Sequence, residues 1–264
     1  MNIYGKIKFF CLSSGSDSNC FYLGVKDYGI LIDAGLGVRK TIERLSRNGV
    51  SIDSIKAIFI THDHIDHVRA VASLGERRGV PVFATEGTIH GINNRDCIKP
   101  KLDSCVHYIT KECPIKLGIF EVTAFEIPHD AYDCVGYSVR VFGKVYTFLT
   151  DLGHITDKAS QHIAQTNYLV IEANHDIELL NNNPNYPQSL KERIKGDFGH
   201  LSNHQAAEYL AKYLTNTTSH IWLCHLSLEN NTPEIAYRSV AEVVSSDVHI
   251  DVFRHGEVSE IYYL

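Results

Sequence analysis

The strongest constraint on this chain is a set of short apolar runs that stop on a histidine or an acid. Ala57-Ile58-Phe59-Ile60 leads through Thr61 to His62, and Phe125-Glu126-Ile127-Pro128 leads to His129. Tyr146-Thr147-Phe148-Leu149-Thr150 stops at Asp151, and Ile221-Trp222-Leu223-Cys224 stops at His225. Runs of four or five apolar residues fit buried strands and fall far short of the ~20 needed to span a bilayer. In open α/β sheets a ligand crevice forms beyond the carboxyl ends of the strands, so residues at those ends can converge. No membrane association is expected.

Between these runs the pattern switches to helical spacing. Phe21–Val25 and Ile30–Asp33 flank Lys26-Asp27-Tyr28-Gly29 as a hairpin, and Val135–Phe142 joins Val145–Thr150 at Gly143-Lys144 as another. Val38, Ile42 and Leu45 recur at i, i+4 and i+7, a helix that Asn48-Gly49 would stop. Ser202 with Gln205 reads as a capping box, and Thr232 with Pro233 as an N-cap followed by a first-turn proline. Val248, Ile250 and Val252 alternate with polar residues, as in a late strand with one wet face. Locally paired strands followed by helical crossovers predict an α/β layered fold with mixed sheets. No Gly/Ser or Pro-rich linker divides the 264 residues, and Asn181–Pro187 is the most loop-like stretch, so residues 1–264 read as one domain.

Composition matters at three points. Seven cysteines with no C-x-x-C pair read as reduced thiols in a cytoplasmic protein, and Met1–Lys6 lacks the pattern of a secretory leader. A formal net charge of −6 weighs against a phosphate-backbone binder. The 15 histidines are the third point, because three of them crowd into one turn.

That turn is His62-Asp63-His64-Ile65-Asp66-His67, an H-x-H-x-D-H run whose chance expectation at this composition is roughly 0.003 occurrences. Imidazole nitrogen and carboxylate oxygen suit borderline divalent cations, and four donors in six residues would crowd a single ion. With the distal residues they make seven candidate ligands for two cations, Zn²⁺ or Mn²⁺. His62, His64 and His129 would take one, Asp66, His67 and His225 the other, and Asp151 would bridge. A bridged pair acidifies a shared water into a hydroxide nucleophile, which is what hydrolysis requires. Closed structural zinc sites are Cys-rich, unlike this set.

His200 follows Gly199 at the mouth of the capped helix, placed to meet a phosphate or protonate a leaving oxygen. Asp33 ends an apolar strand. Glu172 and His175 follow the run Tyr168–Ile171 and would line the cleft. Lys191, Arg193 and Lys195 could supply the positive charge that the overall balance lacks.

The H-x-H-x-D-H run with its distant His, Asp and His resembles the metallo-β-lactamase superfamily. Leu31-Ile32-Asp33-Ala34-Gly35, Ile127-Pro128-His129-Asp130-Ala131, Leu149-Thr150-Asp151-Leu152-Gly153, Gly199-His200-Leu201-Ser202-Asn203 and His225–Glu234 make it similar to the bacterial WalJ/YycJ branch. The resemblance implies an αβ/βα sandwich of two mixed sheets flanked by helices, with a dinuclear site at one edge. It implies 5′→3′ exonuclease action on DNA, with Asp66 and His200 catalytic and Asp33 a carboxylate that orients a ligating imidazole. The alternative on the same ligands is a small-molecule hydrolase: a thioesterase, lactonase or cyclic phosphodiesterase. The loop Ser14-Gly15-Ser16-Asp17-Ser18-Asn19-Cys20 departs from the branch pattern S-G-S-S-G-N-C by lacking the second glycine and adding an acid.

Overall fold

A computed structural model describes residues 5–264, so Met1–Tyr4, on which part of the leader reading rests, lie outside the described residues. The strands are β1 (Lys8–Ser13), β2 (Cys20–Val25), β3 (Tyr28–Ile32), β4 (Ile55–Phe59), β5 (Val82–Ala84), β6 (Val106–Tyr108), β7 (Ile115–Leu117), β8 (Phe120–Glu126), β9 (Val135–Val141), β10 (Lys144–Leu149), β11 (Tyr168–Glu172), β12 (His220–Cys224), β13 (His249–Val252) and β14 (Tyr262–Tyr263). The helices are α1 (Val38–Arg47), α2 (Ile65–Val68), α3 (Val71–Gly75), α4 (Glu86–Asn94), α5 (Asp157–Ala164), α6 (Ile177–Asn182), α7 (Gln188–Lys195), α8 (Asn203–Tyr213) and α9 (Pro233–Ala241). They form two mixed seven-stranded sheets flanked by helices, in two compact units.

Among the described residues, the first unit comprises 5–109, 131–133 and 256–264 and contains the sheet β14-β1-β2-β3-β4-β5-β6. The β2–β3 hairpin closes at Lys26-Asp27, where Lys26 adopts φ 51°. Positive φ at a two-residue connection matches the twist of paired strands. From β3 to β6 the pairing is parallel, because helices carry the chain back between strands. The apolar stripes of those helices, Leu45 of α1, Val71 and Leu74 of α3, and Ile89 and Ile92 of α4, pack with Phe10, Tyr22, Leu31 and Ile58 in one core. Each such fully buried side chain contributes about 1.5–3 kcal/mol. As expected, α1 ends at Asn48, and Gly49 takes φ 69°.

The second unit comprises residues 110–130 and 134–255 and contains the sheet β13-β12-β11-β10-β9-β8-β7. The β9–β10 hairpin turns on Phe142 and Gly143, both with positive φ, one residue earlier than the pattern of apolar residues places it. β10 to β13 are parallel. Trp222, Tyr146 and Phe148 are fully buried in this unit. Both caps read from sequence are present: Ser202 and Gln205 form a reciprocal capping box on α8, and Thr232 caps α9 ahead of Pro233. Asn181 and Asn182 belong to α6, so the loop expected over 181–187 is confined to 183–187; Asp176 caps α6 through the backbone N–H groups of Glu178 and Leu179.

Strand direction fixes where functional side chains emerge. β1 and β3 are both antiparallel to β2, and β3 is parallel to β4, so the loops after β1, β3 and β4 leave one edge of the first sheet. β8 and β10 are both antiparallel to β9, and β10, β11 and β12 are parallel, so the residues after all four leave one edge of the second.

Candidate metal centre

In the first unit Asp33 follows β3 and His62 follows β4. Asp33 adopts φ 61°, a left-handed conformation that aspartate tolerates at some cost, and its N–H bonds to the Phe59 carbonyl at 2.8 Å. Its fully buried carboxylate accepts from Thr61 N at 2.9 Å and lies 2.8 Å from His67 Nδ1. Burial holds the Asp33 carboxyl above its usual value despite the opposing pull of His67. A histidine that donates from Nδ1 presents Nε2 as a lone pair, which is the tautomer a metal needs. Thr61 Oγ1 donates to Asp33 Oδ2 at 2.9 Å and stands 3.0 Å from His62 Nδ1, which orients that ring in the same way. The His62 ring centroid is 4.7 Å from that of His64 and 4.0 Å from that of His67, and His67 Nε2 is 3.3 Å from Asp66 Oδ2. The four donors of the H-x-H-x-D-H run therefore cluster.

The loop after β1 reaches the same cluster. Asn19 Nδ2 is 2.9 Å from His67 Nε2 and 3.2 Å from Asp66 Oδ2, and the Asn19 amide is held by both backbone groups of Gly15 at 3.0 Å. The Asn19 N–H donates to the Asp66 carbonyl at 2.7 Å, and Gly35 N to the Asn19 carbonyl at 2.9 Å. A Cβ on Gly35 would sit 1.5 Å from the Asp66 oxygen, so only glycine permits this approach. Asn19 lies in a run the sequence reading quoted without giving it a part; the single amide among serines is its only signal. Asp63, between two candidate ligands, also went unassigned. Its Oδ2 accepts from Arg95 Nη2 at 2.7 Å and Nε at 3.1 Å, and its Oδ1 from Tyr132 N at 3.0 Å. Nothing local in sequence signals a partner 32 residues away.

In the second unit His129, Asp151, Glu172 and His225 leave the ends of β8, β10, β11 and β12. His129 Nδ1 is 3.1 Å from the Gly199 carbonyl, which also leaves Nε2 for a metal. Ligand atoms of Asp151, Glu172, His200 and His225 all lie within 4.8 Å of one another. Glu172 organises them. Its Oε1 is 2.8 Å from His200 Nδ1 and 2.7 Å from His225 Nδ1, and its Oε2 accepts from Leu152 N at 3.1 Å and Leu201 N at 3.0 Å. Asp151 Oδ1 is 2.5 Å from His225 Nδ1. Burial would raise the Glu172 carboxyl, but the two imidazoles prevail and hold it below its ordinary value. Burial likewise opposes charge on His225, yet Asp151 and Glu172 push it up to about 10, and Glu172 lifts half-buried His200 above its usual value. His225 adopts φ 55°, a second strained residue at a strand end.

His175 stands apart. It is buried, both ring nitrogens lack a hydrogen bond among the described residues, and burial pushes it down to about 4. The three cations of α7 are each engaged by a neighbouring oxygen. Lys191 is buried with Nζ 2.7 Å from the Asn181 carbonyl, Lys195 bonds Asn181 Oδ1 at 2.9 Å, and Arg193 Nε is 2.6 Å from Asp130 Oδ2. The one acid of α7, Glu192, accepts from Gln188, so the cations are satisfied by Asn181 of α6 and by Asp130 instead.

Carboxylate-backed imidazoles at strand ends, on two mixed sheets, define a class. The description "Beta-lactamase superfamily domain" matches residues 28–225, and the chain belongs to that superfamily as a metallo-hydrolase. It is 33% identical over 257 residues to the exodeoxyribonuclease YycJ of Bacillus anthracis, covering 97% of this chain and 94% of that one. It is 34% identical over 247 residues to the exodeoxyribonuclease WalJ of Streptococcus pneumoniae, covering 93% and 91%. The expected WalJ/YycJ likeness thus extends over nearly the whole chain. Among solved structures, the metallo-β-lactamase fold protein YhfI of Bacillus subtilis aligns with a TM-score of 0.72 at 15% identity, covering 96% of this chain and 99% of that one, a likeness of fold. Among the described residues no helix is long and apolar enough to cross a membrane.

Proposed function

We propose that this protein is a DNA exonuclease of 5′→3′ polarity acting in the cytoplasm, and that His62, His64, Asp66, His67, His129, Asp151 and His225 hold two divalent cations, Zn²⁺ or Mn²⁺. The donor chemistry fits: these are imidazoles and carboxylates, and the Nδ1 atoms of His62, His67 and His129 face oxygen acceptors that leave Nε2 as the ligand. When bound, such cations neutralise phosphodiester charge and acidify a water.

The observation that carries the reading is the pairing of His200 with Glu172. Its imidazole, 21% exposed and lifted above its usual value by Glu172, is the group placed to give a proton to the leaving 3′ oxygen when the P–O bond breaks. Asp66, whose side chain is 16% exposed, orients the attacking water. Asp33 holds His67, and Glu172 holds His200 and His225. Neither carboxylate is placed to touch substrate, since both are fully buried. His175, buried and without a side-chain hydrogen bond among the described residues, is given no part in the chemistry. The names of the near-full-length relatives supply the nucleic-acid class.

The test is nucleotide release from end-labelled duplex with Mn²⁺ or Zn²⁺, using 5′ and 3′ labels to read polarity. Absence of release by metal-loaded protein, with Asp151→Ala behaving identically, would refute it. One observation favours a small-molecule hydrolase on the same ligands: the α7 cations are committed to Asn181 and Asp130. Turnover of a thioester, lactone or cyclic phosphodiester without any on DNA would decide for that reading.

A further inference from the structure

Phe198 is exposed where this chain otherwise hides phenylalanine. Of its 11 phenylalanines nine are buried, and only Phe142 and Phe198 are exposed, at 39% and 62%. Phe142 sits on a hairpin tip. Phe198 sits two residues before His200, and its peptide neighbour Gly199 carries the carbonyl that faces His129 Nδ1.

The turn that presents it is pinned through its backbone. Gly199 N donates to the Gly196 carbonyl at 2.8 Å, and His200 N to the Ile194 carbonyl at 2.8 Å. The Asp197 carbonyl faces His154 Nδ1 at 3.1 Å, and a Cβ on Gly153 would lie 2.1 Å from that same oxygen. On Gly199 a Cβ would lie 2.2 Å from the Ile194 oxygen, so the turn cannot open toward α7 without breaking these contacts. An exposed apolar side chain on a floppy loop folds over nearby surface. One on a backbone fixed from both sides stays in water, where it loses the hydrophobic stabilisation its kind usually gains. A bare ring two residues before an imidazole that Glu172 holds in place suits a ligand that is flat and apolar on one part and polar on the next. A nucleotide has that chemistry: the base offers a π face and the phosphate a negative charge.

We infer that Phe198 is a stacking platform for a nucleobase at the end of the DNA strand, so that the ring seats the terminal nucleotide while His200 meets the adjoining phosphodiester. The inference rests on the nuclease reading above. Stacking needs only a π face, so the platform tolerates all four bases and favours purines by area. Because the side chain is mostly exposed, its loss leaves the fold intact.

The test compares the metal-loaded wild-type protein with F198A, F198Y and F198W on 5′-phosphorylated strands whose terminal nucleotide either carries a base or is abasic. F198A should raise KM by about 5- to 150-fold, the range that removing one base–aromatic stack produces, with kcat within threefold and an unchanged melting temperature. F198Y and F198W should stay within threefold of wild type. The abasic end should weaken wild type by the same factor and F198A hardly further. A separate readout uses the single native tryptophan, Trp222, which is fully buried. The indole introduced by F198W should therefore be quenched by a phosphorothioate oligonucleotide with a terminal base and not by its abasic counterpart. If wild type degrades DNA but F198A matches it, or the abasic end is processed equally well, the platform is wrong and the nuclease reading survives. If wild type releases nucleotides from no DNA, the nuclease reading fails and the platform with it.

Discussion

Glu172→Gln isolates the carboxylate on which the second unit's histidines depend. The remaining amide oxygen can still accept from Leu152 N and Leu201 N, as Oε2 does. The amide nitrogen then faces His200 Nδ1 and His225 Nδ1, donor against donor, at positions now 2.8 and 2.7 Å from Oε1. A hydrogen bond to a charged group contributes about 1.5–3 kcal/mol, so losing two costs about 3–6 kcal/mol. A domain in the upper part of the usual ~5–15 kcal/mol range remains folded. Moving a proton from Nδ1 to Nε2 relieves the clash but takes from His225 the lone pair meant for a metal, and leaving it on Nδ1 places the whole bond on Asp151 Oδ1. Metal affinity should then fall about 10- to 100-fold, as loss of a ligand's supporting partner does elsewhere. Urea unfolding of the metal-free protein at pH 7 reads the first quantity, and competition with a chromophoric chelator reads the second. An unfolding free energy within about 0.5 kcal/mol of wild type, together with unchanged metal affinity, would refute the assigned role of Glu172, since surface-like substitutions behave that way.

The metal-free protein should lose stability on both sides of neutrality for opposite reasons. His225, raised to about 10 from 6.5, stabilises fully below pH 6.5 and loses that contribution as pH climbs toward 10; His175, lowered to about 4, contributes above pH 6.5 and loses it as pH falls toward 4. His175→Phe should flatten the acid limb of a pH–stability curve by up to roughly 3 kcal/mol, and an unaltered limb would contradict the account. Gly35→Ala drives a Cβ onto the Asp66 carbonyl and should cost about 3 kcal/mol or more with loss of bound metal, whereas Gly37→Ala, with nothing within 4 Å, should melt like wild type. Reading residues 1–264 as one domain predicts a single cooperative urea transition by both circular dichroism and tryptophan fluorescence; separated midpoints would show the two units unfolding independently. Chelation should abolish turnover while far-UV circular dichroism persists, because an open catalytic site is not the scaffold of its fold; unfolding on chelation would argue for a structural metal.

Much of this was legible because the signals are local. The Ser202–Gln205 box and the Thr232-Pro233 start are written within four residues each and are present, and both hairpins are present with shifted turns: Tyr28 and Gly29 join β3, and the second turn lies one residue earlier. His129, Asp151 and His225 were found because each terminates an apolar run. What escaped depends on distance along the chain. Asp63 meets Arg95, Asn19 meets His67, and Glu172 meets His200 and His225, contacts that only sheet topology creates. The three-residue strands β5, β6 and β7 carry too few residues for a period to register. Lys191 looked like a surface cation because a helix face with three positive charges ordinarily is one; its stem is buried and its ammonium satisfied by a carbonyl.

The first sheet has a long wait in its assembly. Its outermost strand on one side is β14, paired to β1, and Cys11 N finds the Ser259 hydroxyl at 2.9 Å, 248 residues downstream. Gly256 N reaches the Ser14 carbonyl at 3.0 Å, and Arg44 Nη2 holds the Gly256 carbonyl at 2.9 Å. Ser14 adjoins Gly15, which grips the amide of Asn19 beside His67. During synthesis, then, the loop that reaches the histidine cluster lacks its outer brace until Gly256–Leu264 emerge. A nascent or clipped chain ending before Gly256 would carry every candidate ligand and still present His67 and Asp66 on an unbraced loop.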